Sequence, residues 1–207
     1  DIFRPAFLLQ KELKSSHWQN YCELFKKMPN NPDEIIFVGN SLTLLFDLSV
    51  FNNKKIINRG IGGDFTQGLI LRLDEIIESQ PAKIFFEIGI NDILAKIPEK
   101  NIVENYQKII ATVRVKSPKT KIYIQSIFPV LLKKTVYISN KKANREIISV
   151  NESLKRICLE KEIVYIDLYS NFALNGSLNP QFCRDGVHLN QPGYFTWKKL
   201  VESFVNE

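Results

Sequence analysis

The stretch E-I-I-F-V-G-N-S-L-T, residues 34–43, holds an abrupt change of direction. Ile35 to Val38 make a short apolar run rich in β-branched and aromatic residues, the pattern of a strand buried on both faces. Gly39, Asn40 and Ser41 are turn formers, and Leu42, Leu44, Leu45 and Leu48 then resume at helical spacing. The chain is therefore expected to pass from strand to helix at Ser41. That sets a hydroxyl at the carboxyl edge of a sheet and at the start of a helix, where unpaired backbone N–H groups can stabilise a developing oxyanion. Serine is also a favoured helix cap, so this stretch alone leaves a capping role and a nucleophilic role both open.

Outward from this turn, strands and helices alternate. Trp18, Tyr21, Cys22, Phe25 and Met28 share one face of a helix that starts near Ser15, and Pro29 to Pro32 end it before the first strand. Lys55 to Ile61 reads as a second strand running into Gly62, Gly63 and Asp64. Asp64 is placed to cap a helix that turns Leu69, Leu73, Ile76 and Ile77 inward. Lys83 to Ile90 is the third strand, ending at Asn91 and Asp92; Asp92, like Asp64, is read as a helix cap. Asn101, with Glu104 three residues on, resembles a capping box opening a helix. Lys121 to Phe128 and Val164 to Tyr169 are the fourth and fifth strands, separated by a helix from about Lys142 to Lys161. A loop rich in Asn, Gly and Pro leads to a last helix capped by Asn190. Five apolar strands joined by helical crossovers call for a parallel sheet with helices on both faces, and such sheets gather functional residues at the carboxyl ends of their strands.

Composition narrows the function classes. The 207 residues suit one domain, with residues 1–31 as a helical extension packed on it, and there is no linker-like segment or internal repeat. No apolar run approaches the roughly 20 residues of a membrane span. The sequence starts at Asp1 without a leader, the form of a trimmed or mature chain, and this favours a secreted or periplasmic location over a cytoplasmic one. The formal charge of +6 is scattered, with a local excess at Lys133, Lys134, Lys141, Lys142 and Arg145. No basic stripe is interleaved with aromatics, which argues against nucleic-acid binding. Cys22, Cys158 and Cys183 are odd in number and widely spaced, so they read as small buried hydrophobes; neither a disulfide framework nor a metal site is expected, Cys183 and His188 included.

The strand ends can be listed directly. They carry Ser41, then Gly62 and Gly63, then Asn91, and after the fifth strand Asp185 and His188. Together these supply a nucleophile, an uncrowded backbone N–H, an amide donor, a carboxylate and an imidazole, the inventory for acyl transfer without a cofactor. Separately each has a duller use: a glycine turn, a helix cap, a surface hydrogen-bonded pair.

Gly39-Asn40-Ser41-Leu42-Thr43, Asn58-Arg59-Gly60-Ile61-Gly62-Gly63-Asp64, Gly89-Ile90-Asn91-Asp92 and Asp185-Gly186-Val187-His188 resemble, in order and spacing, the four sequence blocks of the SGNH hydrolases, also called GDSL esterases and lipases. Within that family, N-R-G-I-G-G-D and Gln125 to Pro129 are most similar to the branch of platelet-activating factor acetylhydrolase subunits and bacterial carbohydrate or sialate O-acetylesterases. The resemblance implies a flavodoxin-like three-layer α/β/α fold with a five-stranded parallel sheet. It implies Ser41 as nucleophile, His188 as general base and Asp185 as the carboxylate orienting the ring. It implies an oxyanion hole made by the backbone N–H groups of Ser41 and Gly63 and the side-chain amide of Asn91, each donor worth about 3–4 kcal/mol in the transition state. The family's usual Gly-Asp-Ser is Gly-Asn-Ser here, so Asn40 keeps an acceptor oxygen, loses the charge and gains two donors.

Glu87 interrupts the apolar third strand, and an unpaired buried carboxylate is costly, so a hydrogen-bonding partner is expected for it. The chain shows no long apolar lid, which favours a short acyl group such as acetyl. The basic loop follows the fourth strand and so borders the site, where Lys133, Lys134, Lys141 and Lys142 would attract an acidic substrate such as an O-acetylated sialic acid; a merely solvated loop is the alternative. Rival readings are a lysophospholipase or thioesterase on the same scaffold, and a non-catalytic sugar- or phosphate-binding protein. The glycines do not make a dinucleotide G-x-G-x-x-G. The aromatic N-terminal helix could pack on the domain or on a second subunit, which leaves a homodimer open.

Overall fold

The computed structural model describes residues 10–134 and 142–207. Lys141, one of the loop lysines, lies outside them. After a helical turn at residues 10–13, helix α1 (Ser16–Lys27) begins where Ser15 accepts a hydrogen bond from the Trp18 N–H. Trp18 and Phe25 bury against Ile61, so this helix packs on the domain itself.

Five strands follow: β1 (Ile35–Gly39), β2 (Ile56–Gly60), β3 (Lys83–Glu87), β4 (Lys121–Gln125) and β5 (Val164–Ile166). They pair in parallel in the order β2-β1-β3-β4-β5. The strand order reverses beside β1, which puts the end of β1 at the point where such sheets bind ligands. Every strand after β1 begins and ends within a few residues of its sequence expectation, the third, fourth and fifth stopping earlier because the backbone leaves the ladder at Ile88, Ser126 and Asp167, with Ile90 already opening a helix.

The connections are α2 (Ser41–Leu44), α3 (Thr66–Ile77), α4 (Ile90–Leu94), α5 (Glu99–Lys116) and α6 (Ala143–Glu160), then α7 (Tyr169–Phe172) and the last helix α8 (Gln191–Asn206). Helix α3 packs on α5 and α5 on α6, which covers one face. Helix α8 covers the other. There Phe37, Phe85 and Tyr123 stack in a row across β1, β3 and β4, Phe204 packs on Tyr123, and Lys83 Nζ donates to the carbonyls of Phe204, Val205 and Glu207. The main core is one large cluster spanning both layers, and a smaller one of Trp18, Phe25 and Ile61 lies under α1. Among the described residues no helix is long and apolar enough to cross a membrane.

Three local expectations are corrected. Helix α5 starts at Glu99 behind Pro98, so Asn101 and Glu104 are inside it and form no capping box. The proline sets the start because its missing N–H is one that the first turn leaves unpaired in any case. Asp64 does not cap α3. Its carboxylate turns into the core toward Arg72, and Asp92 of α4 instead accepts from the Thr66 N–H at 3.0 Å and the Thr66 hydroxyl at 2.6 Å. Asp92 therefore caps a helix other than the one that follows it in sequence. The loop before Asp185 contains a small antiparallel hairpin, β6 (Ala173–Leu174) and β7 (Ser177–Leu178), closed by Asn175 and Gly176 at positive φ.

Candidate active site

The turn at Ser41 is shaped by two glycines. Gly39 and Gly60 are register partners at the ends of β1 and β2. A Cβ on Gly39 would lie 2.1 Å from the Glu87 carbonyl oxygen and 2.3 Å from Thr43 Oγ1, and one on Gly60 would lie 2.3 Å from the Leu44 nitrogen. Without side chains at these two positions, α2 lies directly on the sheet, and its first residue is Ser41. Asn40 caps it, its Oδ1 accepting from the Leu42 N–H at 2.9 Å. The acceptor that Asn40 shares with aspartate is thus in use, while its Nδ2 is buried without a partner among the described residues.

Ser41 Oγ stands 2.9 Å from His188 Nε2, and His188 Nδ1 stands 2.8 Å from Asp185 Oδ2. The second carboxylate oxygen of Asp185 accepts from the backbone N–H groups of His188 at 2.9 Å and Val187 at 3.1 Å. Burial pushes the Asp185 carboxyl up, but the His188 backbone and ring N–H and the Val187 N–H outweigh it and hold the group down at about 2. It is ionised at neutral pH. A hydroxyl, an imidazole and a carboxylate in this chain can activate the oxygen as a nucleophile, the carboxylate fixing the ring and stabilising its cation.

The loop bearing this pair is tightly tied. Gly186, at φ +105°, gives its N–H to Cys183 Sγ at 3.1 Å and its carbonyl to the Leu131 N–H at 2.8 Å, and Lys134 Nζ donates to the Cys183 carbonyl at 3.0 Å. Cys183 is buried and its sulfur serves the turn. Tyr194 on α8 donates to the Leu42 carbonyl at 3.0 Å, pinning the first turn of α8 onto α2.

Gly63, at φ +79°, sits in the turn closed by the Asp64 N–H to the Ile61 carbonyl. Only glycine takes this backbone conformation without strain. The Asn91 amide donates to the Asp64 carbonyl at 2.9 Å, which draws the Gly63 and Asn91 turns together. The sequence reading missed what holds this region. Arg72 Nε meets Asp64 Oδ2 at 2.9 Å, Arg72 Nη1 meets the Arg59 carbonyl at 2.8 Å and Arg72 Nη2 meets the Gly39 carbonyl at 3.2 Å, while Trp18 Nε1 donates to Asp64 Oδ1 at 2.9 Å. One buried cation thereby ties the ends of β1 and β2 to the Gly63 turn. The signal was present: Arg72 falls between Leu69 and Ile76 on the apolar stripe of its helix, two turns from Asp64, and a charge on such a stripe needs a partner. Burial pushes the Asp64 carboxyl up, while Arg72, Trp18 and the Phe65 N–H pull the other way.

Glu87 overturns its expectation. It is fully buried, and neither carboxyl oxygen has a hydrogen-bond partner among the described residues. Desolvation pushes it up to about 8, so at neutral pH the group avoids the cost of a buried charge by keeping its proton.

The basic loop divides. Lys133 and Lys134 are exposed in a short 3-10 turn, with Lys134 against the Cys183 carbonyl, whereas Arg145 opens on a different groove beside Ile97 and Glu99. Lys142 is exposed at the start of α6. A cleft of about 730 Å³ adjoins the His188 loop, walled by Leu45, Phe46, Val50, Tyr194 and Phe195 with Arg184 at its rim.

Residues 38–194 match the GDSL-like Lipase/Acylhydrolase family. The whole chain is 24% identical over 206 residues to an N-acylneuraminate cytidylyltransferase of Streptococcus agalactiae, but spans only 46% of that protein's length. Among solved structures, a Streptococcus pneumonia protein provisionally named a platelet activating factor superposes with a TM-score of 0.82 at 26% identity, covering 95% of this chain and 94% of the other. The acetyl xylan esterase AlAXEase superposes with a TM-score of 0.71 at 20% identity, covering 83% and 99%, and so shares the fold. With five parallel strands in this order and a family match across three quarters of its length, the chain belongs to the GDSL-like lipase/acylhydrolase family.

Proposed function

We propose that the protein is a serine esterase that removes acetyl groups from a carbohydrate, an O-acetylated sialic acid foremost, through an acyl-enzyme. The observation that carries this reading is the 2.9 Å and 2.8 Å chain from Ser41 through His188 to Asp185. Ser41 Oγ attacks the ester carbonyl carbon as His188 Nε2 takes its proton. The oxyanion that forms is held by the N–H groups of Ser41 and Gly63 and by the Asn91 amide. Its collapse breaks the bond to the sugar oxygen, and the imidazolium returns the proton to that leaving alcohol. Water then repeats the sequence on the acyl-enzyme, releasing acetate and restoring Ser41. The acetyl preference is supported by the name of the acetyl xylan esterase that shares the fold. The acidic sugar is supported by the sialic-acid activity named in the Streptococcus agalactiae relatives, and by the exposed Lys133 and Lys134 beside the His188 loop. Acetate release from O-acetyl sialic acids and from acetylxylan, with Ser41→Ala as control, tests it. Faster turnover of the neutral polymer would reject the sialate, and activity surviving in Ser41→Ala would reject the mechanism.

A second reading draws on the apolar cleft of about 730 Å³, which has room for an acyl chain. Hydrolysis of p-nitrophenyl octanoate in preference to the acetate would favour this long-chain esterase over the deacetylase.

A further inference from the structure

The nucleophile turn rests on a floor of polar groups that no other described residue pairs. Gly39 and Glu87 are register partners on β1 and β3, and Gln125 is next on β4, one step beyond the Phe86–Ile124 pair. The parallel ladder sends their side chains to one face, that of Phe37, Phe85 and Tyr123. Glu87 is buried with both carboxyl oxygens unpaired. Gln125 is buried, accepts from Trp197 Nε1 at 2.7 Å, and leaves its Nε2 unpaired. Thr43, two residues after Ser41 on α2, is buried, with Oγ1 lying 2.3 Å from where a Gly39 Cβ would stand and likewise unpaired. Three adjacent elements thus aim orphaned polar groups at one buried region. Leaving any one of them without a partner is expensive, and buried waters are found making about three hydrogen bonds to such groups. The three are complementary: an amide N–H donates, a carboxyl oxygen accepts, and a hydroxyl does either.

We propose that Glu87, Gln125 and Thr43 bind one buried water beneath the nucleophile turn, and that through this water Glu87 is a positioning residue for Ser41. The water accepts from Gln125 Nε2 and donates to a Glu87 oxygen and to Thr43 Oγ1, which fixes α2 at its third residue and so the Ser41 oxygen at its first. Glu87 touches no substrate. The cost of a buried charge, and not the hydrogen bond itself, keeps this carboxyl uncharged at neutral pH; Tyr106 of α5 and Tyr194 of α8, which feel Glu87, are both pushed up by their own burial and neutral alongside it. The positioning half of the proposal rests on Ser41 being the nucleophile, while the water site stands without that reading.

The test pairs diffraction with the rate at which a fluorophosphonate probe labels Ser41. A crystal structure is expected to show a water within hydrogen-bond distance of all three groups in the wild type and in Glu87→Gln, and none in Glu87→Leu. Labelling is expected within twofold of wild type in Glu87→Gln and at least tenfold slower in a folded Glu87→Leu, with the wild-type rate falling relative to Glu87→Gln above about pH 8. Absence of the water from the wild type overturns the site. Wild-type labelling in a folded Glu87→Leu overturns the positioning role, as does a wild type that carries the water and is never labelled at Ser41.

Discussion

Glu87→Gln should make the protein less sensitive to alkali. In the folded chain burial raises this carboxyl from 4.5 to about 8, and unfolding returns it to its ordinary range. Between those two pH values the folded state holds a proton that the unfolded state has released. Stability therefore falls as pH rises through the window, at about 1.4 kcal/mol per pH unit, and is level above the folded value. The loss reaches at most about 5 kcal/mol, a ceiling that relaxation of the buried site lowers. Glutamine keeps the shape and cannot titrate, so the variant lacks this slope. Urea unfolding at pH 5, 6.5 and 8 measures it: the two proteins should be closest at pH 5, and Glu87→Gln should lead by a few kcal/mol at pH 8. Other raised carboxyls, Asp92 at about 7 among them, contribute equally to both proteins and cancel in the difference. Parallel pH profiles would show that Glu87 does not change protonation on unfolding, and the account of its burial would be wrong.

Asp64→Ala leaves the Arg72 guanidinium buried without its carboxylate, which should cost about 3–5 kcal/mol and appear as a lowered urea midpoint. Gly60→Ala places a methyl group 2.3 Å from the Leu44 nitrogen, a backbone atom that can yield only if α2 shifts. It should destabilise by about 1–3 kcal/mol and, more tellingly, slow Ser41 labelling; an unchanged labelling rate would show that the turn does not set the nucleophile. Asp185→Asn keeps the hydrogen-bonding shape but reverses the ring's proton assignment, so kcat on any hydrolysed ester should drop by about 10⁴ with KM little changed.

The fold was legible because parallel strands buried on both faces are written as uninterrupted apolar runs, and Ile35 to Val38, Ile84 to Phe86 and Ile122 to Ile124 are such runs. The candidate site was legible because its side chains sit at strand ends, which the ends of those runs mark. Hydrogen bonding between distant buried groups was not. A motif read along the chain gives Asp64 to the helix that follows it, whereas the carboxylate takes the guanidinium two turns down that helix and hands the capping to Asp92, 26 residues beyond the Thr66 it caps. The same limit applies to Glu87: composition says that a buried acid must be satisfied, but whether by a side chain or by its own proton depends on which neighbours three strands bring alongside.

These bonds divide the site into two halves. In one, Arg72 joins the carbonyls of Gly39 and Arg59 to Asp64, and Asn91 joins the Asp64 carbonyl, so the ends of β1, β2 and β3 move as a unit. In the other, Cys183, Gly186, Leu131 and Lys134 lock the His188 loop to the end of β4. Among the described residues, two hydrogen bonds cross between them near Ser41, one from Ser41 to His188 and one from Tyr194 to the Leu42 carbonyl. The first must be broken and remade in each turnover if Ser41 is the nucleophile, so the register of base against nucleophile falls to the second and to the packing of α8 on α2. On that reading Tyr194 is expected to matter to the reaction without contact with the ester, because its hydroxyl still joins α8 to α2 while the Ser41–His188 hydrogen bond is open.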